Sequence, residues 1–308
     1  MSWALVLEQT LNGLQFGVML FLMAAGLTLV FGIMNLVNLA HGSLYMVGAY
    51  LAAAFAHWSG SFVLGVALAL PATLLVGIAV EVIALRTLYE RDHLDQVLAT
   101  FGLILFFNEL ISIVWGRAAI YTSVPPILGG HFRILPGVPY PTYRASIIVV
   151  GILVSVLLWG LVTRTRLGMR IRAGASNRTM VSALGVNVQL LYTLVFGLGA
   201  ALAGLAGAMA GPIYAVQPGM GEAILIQVFV VIVIGGIGSI RGAMVGAIVV
   251  GMADTLGRAF LKPMLATIIS PPAADKAGPA LASMLIYLLM AAVLFFRPEG
   301  LFPARSRS

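Results

Sequence analysis

Five arginines, Arg164, Arg166, Arg170, Arg172 and Arg178, fall within the fifteen residues 164–178. No Asp or Glu occurs between Glu109 and Glu222, so the cluster has no acidic partner nearby in sequence. Short basic loops beside apolar spans stay on the cytoplasmic side of a membrane, and their charge suits anionic lipid. The segment that follows has the marks of a docking element. Ser176 or Asn177 can cap a helix start, and Gly185 suits a left-handed stop. Met180, Val181 and Leu184 are expected to share one face between those ends. A charge cluster that merely retains the loop in the cytoplasm is the competing reading.

Other polar side chains stand in apolar surroundings. Asn35, Asn38 and His41 precede Gly42 within a long uncharged run, where His41 either caps a broken helix or lines a path for a solute. No carboxylate or second His lies within a turn of His41, so no metal site is expected there. Glu109, beside Asn108, is the one candidate for a proton relay or ion site, and Asp254 and Arg258 have i,i+4 spacing for a neutralised structural pair. The stretch Gly235-Gly236-Ile237-Gly238-Ser239 lacks the Lys-Ser or Lys-Thr of a phosphate loop, so it reads as a close helix approach or a tight reversal. Small residues at Gly204, Gly207, Ala208 and Gly211 read as a helix-packing face. No nucleophile elbow, HExxH or catalytic carboxylate pair appears, so enzymatic chemistry and cofactors are not expected. With no nucleotide-binding motif either, active transport would need an ion gradient or a separate ATPase.

The elements that must position these residues follow from composition. The chain has 308 residues, 61% hydrophobic and 9% charged, with mean hydropathy +1.07. Soluble domains carry roughly 25% charged residues, so the chain reads as an all-α polytopic integral membrane protein. The net charge of +7 sits in loops and near the C-terminus, which suits topology and lipid contact and not nucleic acid. Absence of cysteine excludes disulfides and thiolate chemistry. The first residues lack a basic n-region, so no cleaved signal peptide is expected.

From Gln9 to Val80 there is no charged residue, enough for about three crossings at roughly 1.5 Å per residue. Breaks are expected near 32–42 and 57–61, and short broken helices near 32–42 and 235–242, so that Asn35, Asn38, His41, Gly42, Gly235, Gly236, Gly238 and Ser239 are the expected translocation path or gate. Spans are expected near 11–31, 43–56, 62–85, 96–115, 145–162, 190–211, 223–234, 243–256 and 281–296, about nine in all with eight or ten arguable. Placing 164–178 in the cytoplasm puts 86–95 and the tail with Arg297, Arg305 and Arg307 there too. Loop 116–144 then faces outward, with Arg117, Arg133 and Arg144 against the rule, and the N-terminus lies outside. The whole chain, 1–308, reads as one membrane domain carrying a cytoplasmic coupling loop at 164–189.

The run Gly26-Leu-Thr-Leu-Val-Phe-Gly-Ile-Met-Asn-Leu-Val-Asn-Leu-Ala-His-Gly-Ser-Leu-Tyr-Met-Val-Gly-Ala-Tyr50 resembles the permeases of branched-chain amino acid ABC importers, LivH type. Two further segments agree with it: 165–187 is similar to that family's coupling region, and 235–246 to its Gly-Gly-x-Gly-Ser-x-x-Gly-Ala-x-x-Gly signature. The resemblance implies a multi-pass permease of the bacterial cytoplasmic membrane. It implies two ABC ATPase subunits docked beneath, a second permease of LivM type or a second copy of this chain, and a periplasmic or extracytoplasmic solute-binding protein. The docking role falls on the helix near 177–184, ended by Gly185, although Arg178-Thr-Met-Val-Ser stands where acidic and alanine residues are common. The solute is expected to be a branched-chain or other amino acid, with urea or a short amide as the alternative. An ion-coupled secondary transporter using Glu109 is the reading from a different class.

Overall fold

A membrane gives backbone polar groups no water to bond, so a chain this apolar satisfies them within helices. The computed structural model describes residues 3–135 and 138–303, and helices dominate it. They are α1 (Trp3–Met34), α2 (His41–Ser59), α3 (Phe62–Val80), α4 (His93–Trp115), α5 (Thr142–Arg164), α6 (Arg166–Ser176), α7 (Arg178–Ala183), α8 (Val188–Ala210), α9 (Met220–Gly235), α10 (Ile240–Leu265) and α11 (Pro271–Phe296). A π-helical turn, Glu81–Leu85, and a short 3-10 turn, Arg86–Leu88, extend α3. Strands β1 (His131–Leu135) and β2 (Val138–Pro141) form an antiparallel hairpin in the loop before α5.

Each of the nine expected spans corresponds to a helix. Among the described residues, seven helices are long and apolar enough to cross a membrane. The other two are α9, at 16 residues, and α2, whose apolar character is diluted by His41, Tyr45, Tyr50 and His57. The tail residues Arg305 and Arg307 lie outside the described residues. The helices differ in what surrounds them. Over their most apolar stretches α1 is 83% buried and α8 78%, against 11% for α11. Lipid tails are as apolar as leucine, so a helix such as α11 can face them without penalty, while α1 and α8 are each largely covered by protein.

The described residues divide into two compact units, each assembled from distant segments. One comprises 22–125 and 153–226. Its centre is α2 packed on α3 and α8, and the expected small-residue face makes that packing possible. A Cβ at Gly48 would strike the backbone of Gly204, and one at Gly207 would strike the carbonyl of Tyr45. The other unit draws on 1–21, 126–152 and 227–304. There α10 packs on α11, and the Asp254–Arg258 pair forms as spaced, Arg258 Nε donating to Asp254 Oδ2 at 2.9 Å. Arg144, one of the arginines expected on the outer side, donates to Asn12 Oδ1 at 2.6 Å. Arg117 pairs with Glu109 at 3.4 Å. Two of the three outward arginines are thereby partly compensated.

Candidate functional site

The basic segment folds into two helices, and capping explains where each begins. Thr165 accepts from the Gly168 N–H at 3.0 Å and starts α6, which carries Arg166, Arg170 and Arg172 and buries Ile171. Arg164 ends α5, its guanidinium 5.6 Å from the Trp159 ring centre, and the Arg172 guanidinium donates to the Val162 carbonyl. Asn177, and not Ser176, caps α7: its Oδ1 accepts from the Met180 N–H at 2.9 Å. Gly185 takes φ 82°. Around it the Val186 N–H reaches the Val181 carbonyl at 3.3 Å and the Gly185 N–H reaches that of Ser182 at 2.9 Å, the paired bonds of a Schellman stop.

The apolar face of α7 is split. Val181 is buried, while Met180 is 58% exposed and Leu184 76%. A single helical step turns Val181 by about 100° from Met180, into the body of the unit, whereas Met180 and Leu184 stand one turn apart. Two exposed apolar side chains thus stand on a short capped helix, with Arg178 also exposed at its start.

A cleft of ≈ 440 Å³ opens beside α6 and α7. The end of α1 contributes Ile33, Met34 and Asn35; the turn before α4 and its first residues contribute Tyr89, Arg91, His93 and Gln96; the α6–α7 joint contributes Gly174, Ser176, Asn177 and Arg178. The cleft thus gathers the chain ends at 33–35, 89–96 and 174–178 on one side of this unit, as expected when 86–95 and 164–178 share the cytoplasm. Sequence reasoning did not anticipate α6. Its available signal was Thr165 ahead of Leu167 and Ile171, four residues apart, the caps and stripe of a short amphipathic helix.

Tyr89, which lines the cleft, reaches a buried acid. Glu81 is fully buried at the start of the π-helical turn. It accepts from Arg86 Nη2 at 3.2 Å, Thr193 Oγ1 at 2.7 Å and Tyr89 Oη at 2.6 Å. Burying a carboxylate is tolerable only when donors surround it in this way. Burial, and then its bond to Glu81, holds the Tyr89 phenol well above its ordinary value, so it remains a donor at physiological pH. The network ties the end of α3 to α8, which begins directly after α7. Single π-helical turns inside helices often mark functional places.

The first expected break lies in the same unit. Chain 35–40 is non-helical and largely buried, and Asn35 is in the left-handed region at φ 55°, an unusual state for a side-chain-bearing residue. His41 is fully buried and its Nε2 lies 3.2 Å from the Met23 carbonyl. Among the described residues, His41 Nδ1 and both amide atoms of Asn38 are buried without a partner. Gly42 and Gly221 touch backbone to backbone, leaving no room for a side chain at either. Glu109, the expected ion-site candidate, has its side chain 65% exposed beside the 79% exposed Arg117. A second acid, Glu222 at the start of α9, accepts from Asn108 Nδ2 at 2.5 Å; its position at the end of the acid-free stretch gave no hint of this.

The second break, in the other unit, is a reversal. Gly236 and Gly238 take φ 105° and 81°, and the Ser239 hydroxyl caps α10 by accepting from the Gly242 N–H at 3.1 Å. A Cβ at Gly235 would fall on the Gly242 carbonyl. This is the tight reversal that the glycine spacing leads one to expect.

The family described as branched-chain amino acid transport system / permease component matches residues 9–294. The chain is similar to the high-affinity branched-chain amino acid transport system permease protein BraD of Pseudomonas aeruginosa, at 32% identity over 96% of this chain and 95% of BraD. It is similar to the permease protein LivH of Salmonella typhimurium, named for the same transport, at 30% identity over 86% and 90%. A shorter match joins it to the fructose import permease protein FrcC of Rhizobium meliloti, at 32% identity over 54% and 49%. No solved structure matches the chain.

Proposed function

This chain belongs to the family of permease components of branched-chain amino acid transport systems, and from that premise we propose how it is powered and what it carries. It is a multi-pass membrane permease subunit of an ABC importer and not an enzyme. Its solute is a branched-chain amino acid or a closely similar one, and it works in a bacterial cytoplasmic membrane. Energy comes from two ABC ATPase subunits beneath it. A LivM-type permease or a second copy of this chain completes the pathway, and a solute-binding protein delivers from outside.

The observation that carries the coupling assignment is α7 itself. It is capped by Asn177, stopped by Gly185 and shows Met180, Leu184 and Arg178 to solvent. ATP binding closes the ATPases and moves α7 with α6. The joint at Gly185 passes that motion to α8, and Thr193 passes it to Glu81 and the end of α3. The breaks at 35–40 and 236–239 then change their packing and open the path to the other side. Asn38 and His41 offer unpartnered buried groups to a polar solute, which supports placing the first break on that path.

Two tests address this reading. The tagged chain, extracted in mild detergent, should co-purify with ATPase subunits and a second permease or a second copy; a stable chain recovered alone would contradict it. Gly185→Pro cannot hold φ 82° and should leave the complex assembled while ATP hydrolysis no longer drives uptake, and Arg178→Glu should do the same. Fully coupled uptake in both variants would remove the docking role from α7.

A further inference from the structure

We propose that the cleft between the end of α1, the start of α4 and the α6–α7 joint binds a free amino acid as its zwitterion from the cytoplasm. The inference rests on the orientation and solute class proposed above. A volume of ≈ 440 Å³ lies within the range of small-molecule sites, roughly 300–1,000 Å³.

Its chemistry is divided as an amino acid's is. Arg91 and Arg178 line it, and neither guanidinium has an ion-pair partner among the described residues. No acid lines it, although Glu90, Asp92 and Asp95 lie on the adjoining turn. The Arg91 guanidinium, which carries no part of the docking role proposed for Arg178, suits a carboxylate.

Another part of its wall is the C-terminal end of α1. The Asn35 N–H, bonded to Phe31 O at 3.0 Å, is the last to return to that helix. The carbonyls beyond Phe31 point past the helix end and carry its partial negative charge, which suits an ammonium group. The left-handed turn at Asn35 sets this end against the cleft. Ile33 and Met34 supply apolar surface for a hydrocarbon side chain.

The wall that carries Arg91 is built in advance. Buried Gln96 donates to the Leu88 carbonyl at 3.1 Å and to that of Arg91 at 3.2 Å, and lies 3.3 Å from His93 Nδ1. An occupant would bridge the end of α1, next to the first break, to the α6–α7 joint. The site would therefore let imported solute act back on the element that couples transport to ATP.

The test titrates tritiated L-leucine into the purified complex of the full chain with its ATPases, without a solute-binding protein. ATP-driven leucine uptake is measured on the same complex in vesicles, joined by its second permease where it has one and supplied with the solute-binding protein from outside. Saturable binding is expected, competed by L-valine and not by acetate, inorganic phosphate or L-leucinamide. Arg91→Gln should weaken it about tenfold or more, and Arg91→Lys should restore part of the loss. No saturable binding, or equal binding in Arg91→Gln, overturns the site, and competition by phosphate as strong as that of valine overturns the zwitterion. Uptake in the absence of cleft binding removes the site and leaves the importer standing; loss of both from the unmodified chain overturns the amino-acid reading as well.

Discussion

Both breaks interrupt apolar helices where backbone groups have no water to fall back on, yet they settle that debt differently. At 236–239 the turn is closed on itself. Ser239 caps the next helix, and the Leu301 and Phe302 N–H groups cover the carbonyls of Ile234 and Gly235 at 2.8 and 2.9 Å. At 35–40 the end of α1 is left open, and Asn38 and His41 bury polar atoms that nothing in the described chain satisfies. A break whose flanking groups are bonded in this way is a firm corner, one that the proposed transport cycle must repack as a unit. One that keeps unpaired polar groups buried gives up stability, and the solute path proposed for it would supply the missing partner.

The largest expected effect breaks the corner. Gly235→Val sets a side chain on the Gly242 carbonyl and should cost more than about 4 kcal/mol, read as loss of monodisperse protein after extraction. The middle effect separates stability from activity at the other break. Asn38→Leu removes buried unpaired atoms and should hold or raise thermal stability by about 1 kcal/mol. ATP-driven uptake should nevertheless fall about tenfold, the factor carried by one lost hydrogen bond of roughly 1.4 kcal/mol. A destabilised variant with normal uptake would erase the contrast between the two breaks. The smallest effect concerns Asn35: Asn35→Ala should lower stability by about 1–2 kcal/mol because of its φ of 55°, whereas Asn35→Gly should stay near the parent. Thermal unfolding of the purified complex measures both.

Much of this was legible in the residues, because the governing signals are local. The uncharged run 9–80 announces stacked helices, the glycines at 235–238 a close approach or a reversal, and Ser176 or Asn177 with Gly185 the bounds of α7. Long-range partners were illegible for the same reason. Nothing near Glu81 in sequence points to Thr193, more than a hundred residues away, and Asn108 gives no sign of Glu222. The split face of α7 also escaped, since the spacing of Met180, Val181 and Leu184 says that they are apolar but not which of them the rest of the unit covers. The cleft was invisible because three separate chain ends make it.

The central claim is that α7 is where a separate ATPase takes hold, and the cysteine-free chain permits a direct measurement. Met180→Cys in the membrane-embedded complex should cross-link through a short bifunctional maleimide to a cysteine-bearing ATPase subunit, with a yield that changes when ATP is added. Ile127→Cys, 91% exposed in the loop before β1, should give no such product. An ATPase adduct from Ile127→Cys, or none from Met180→Cys in a complex that still hydrolyses ATP, would contradict the account.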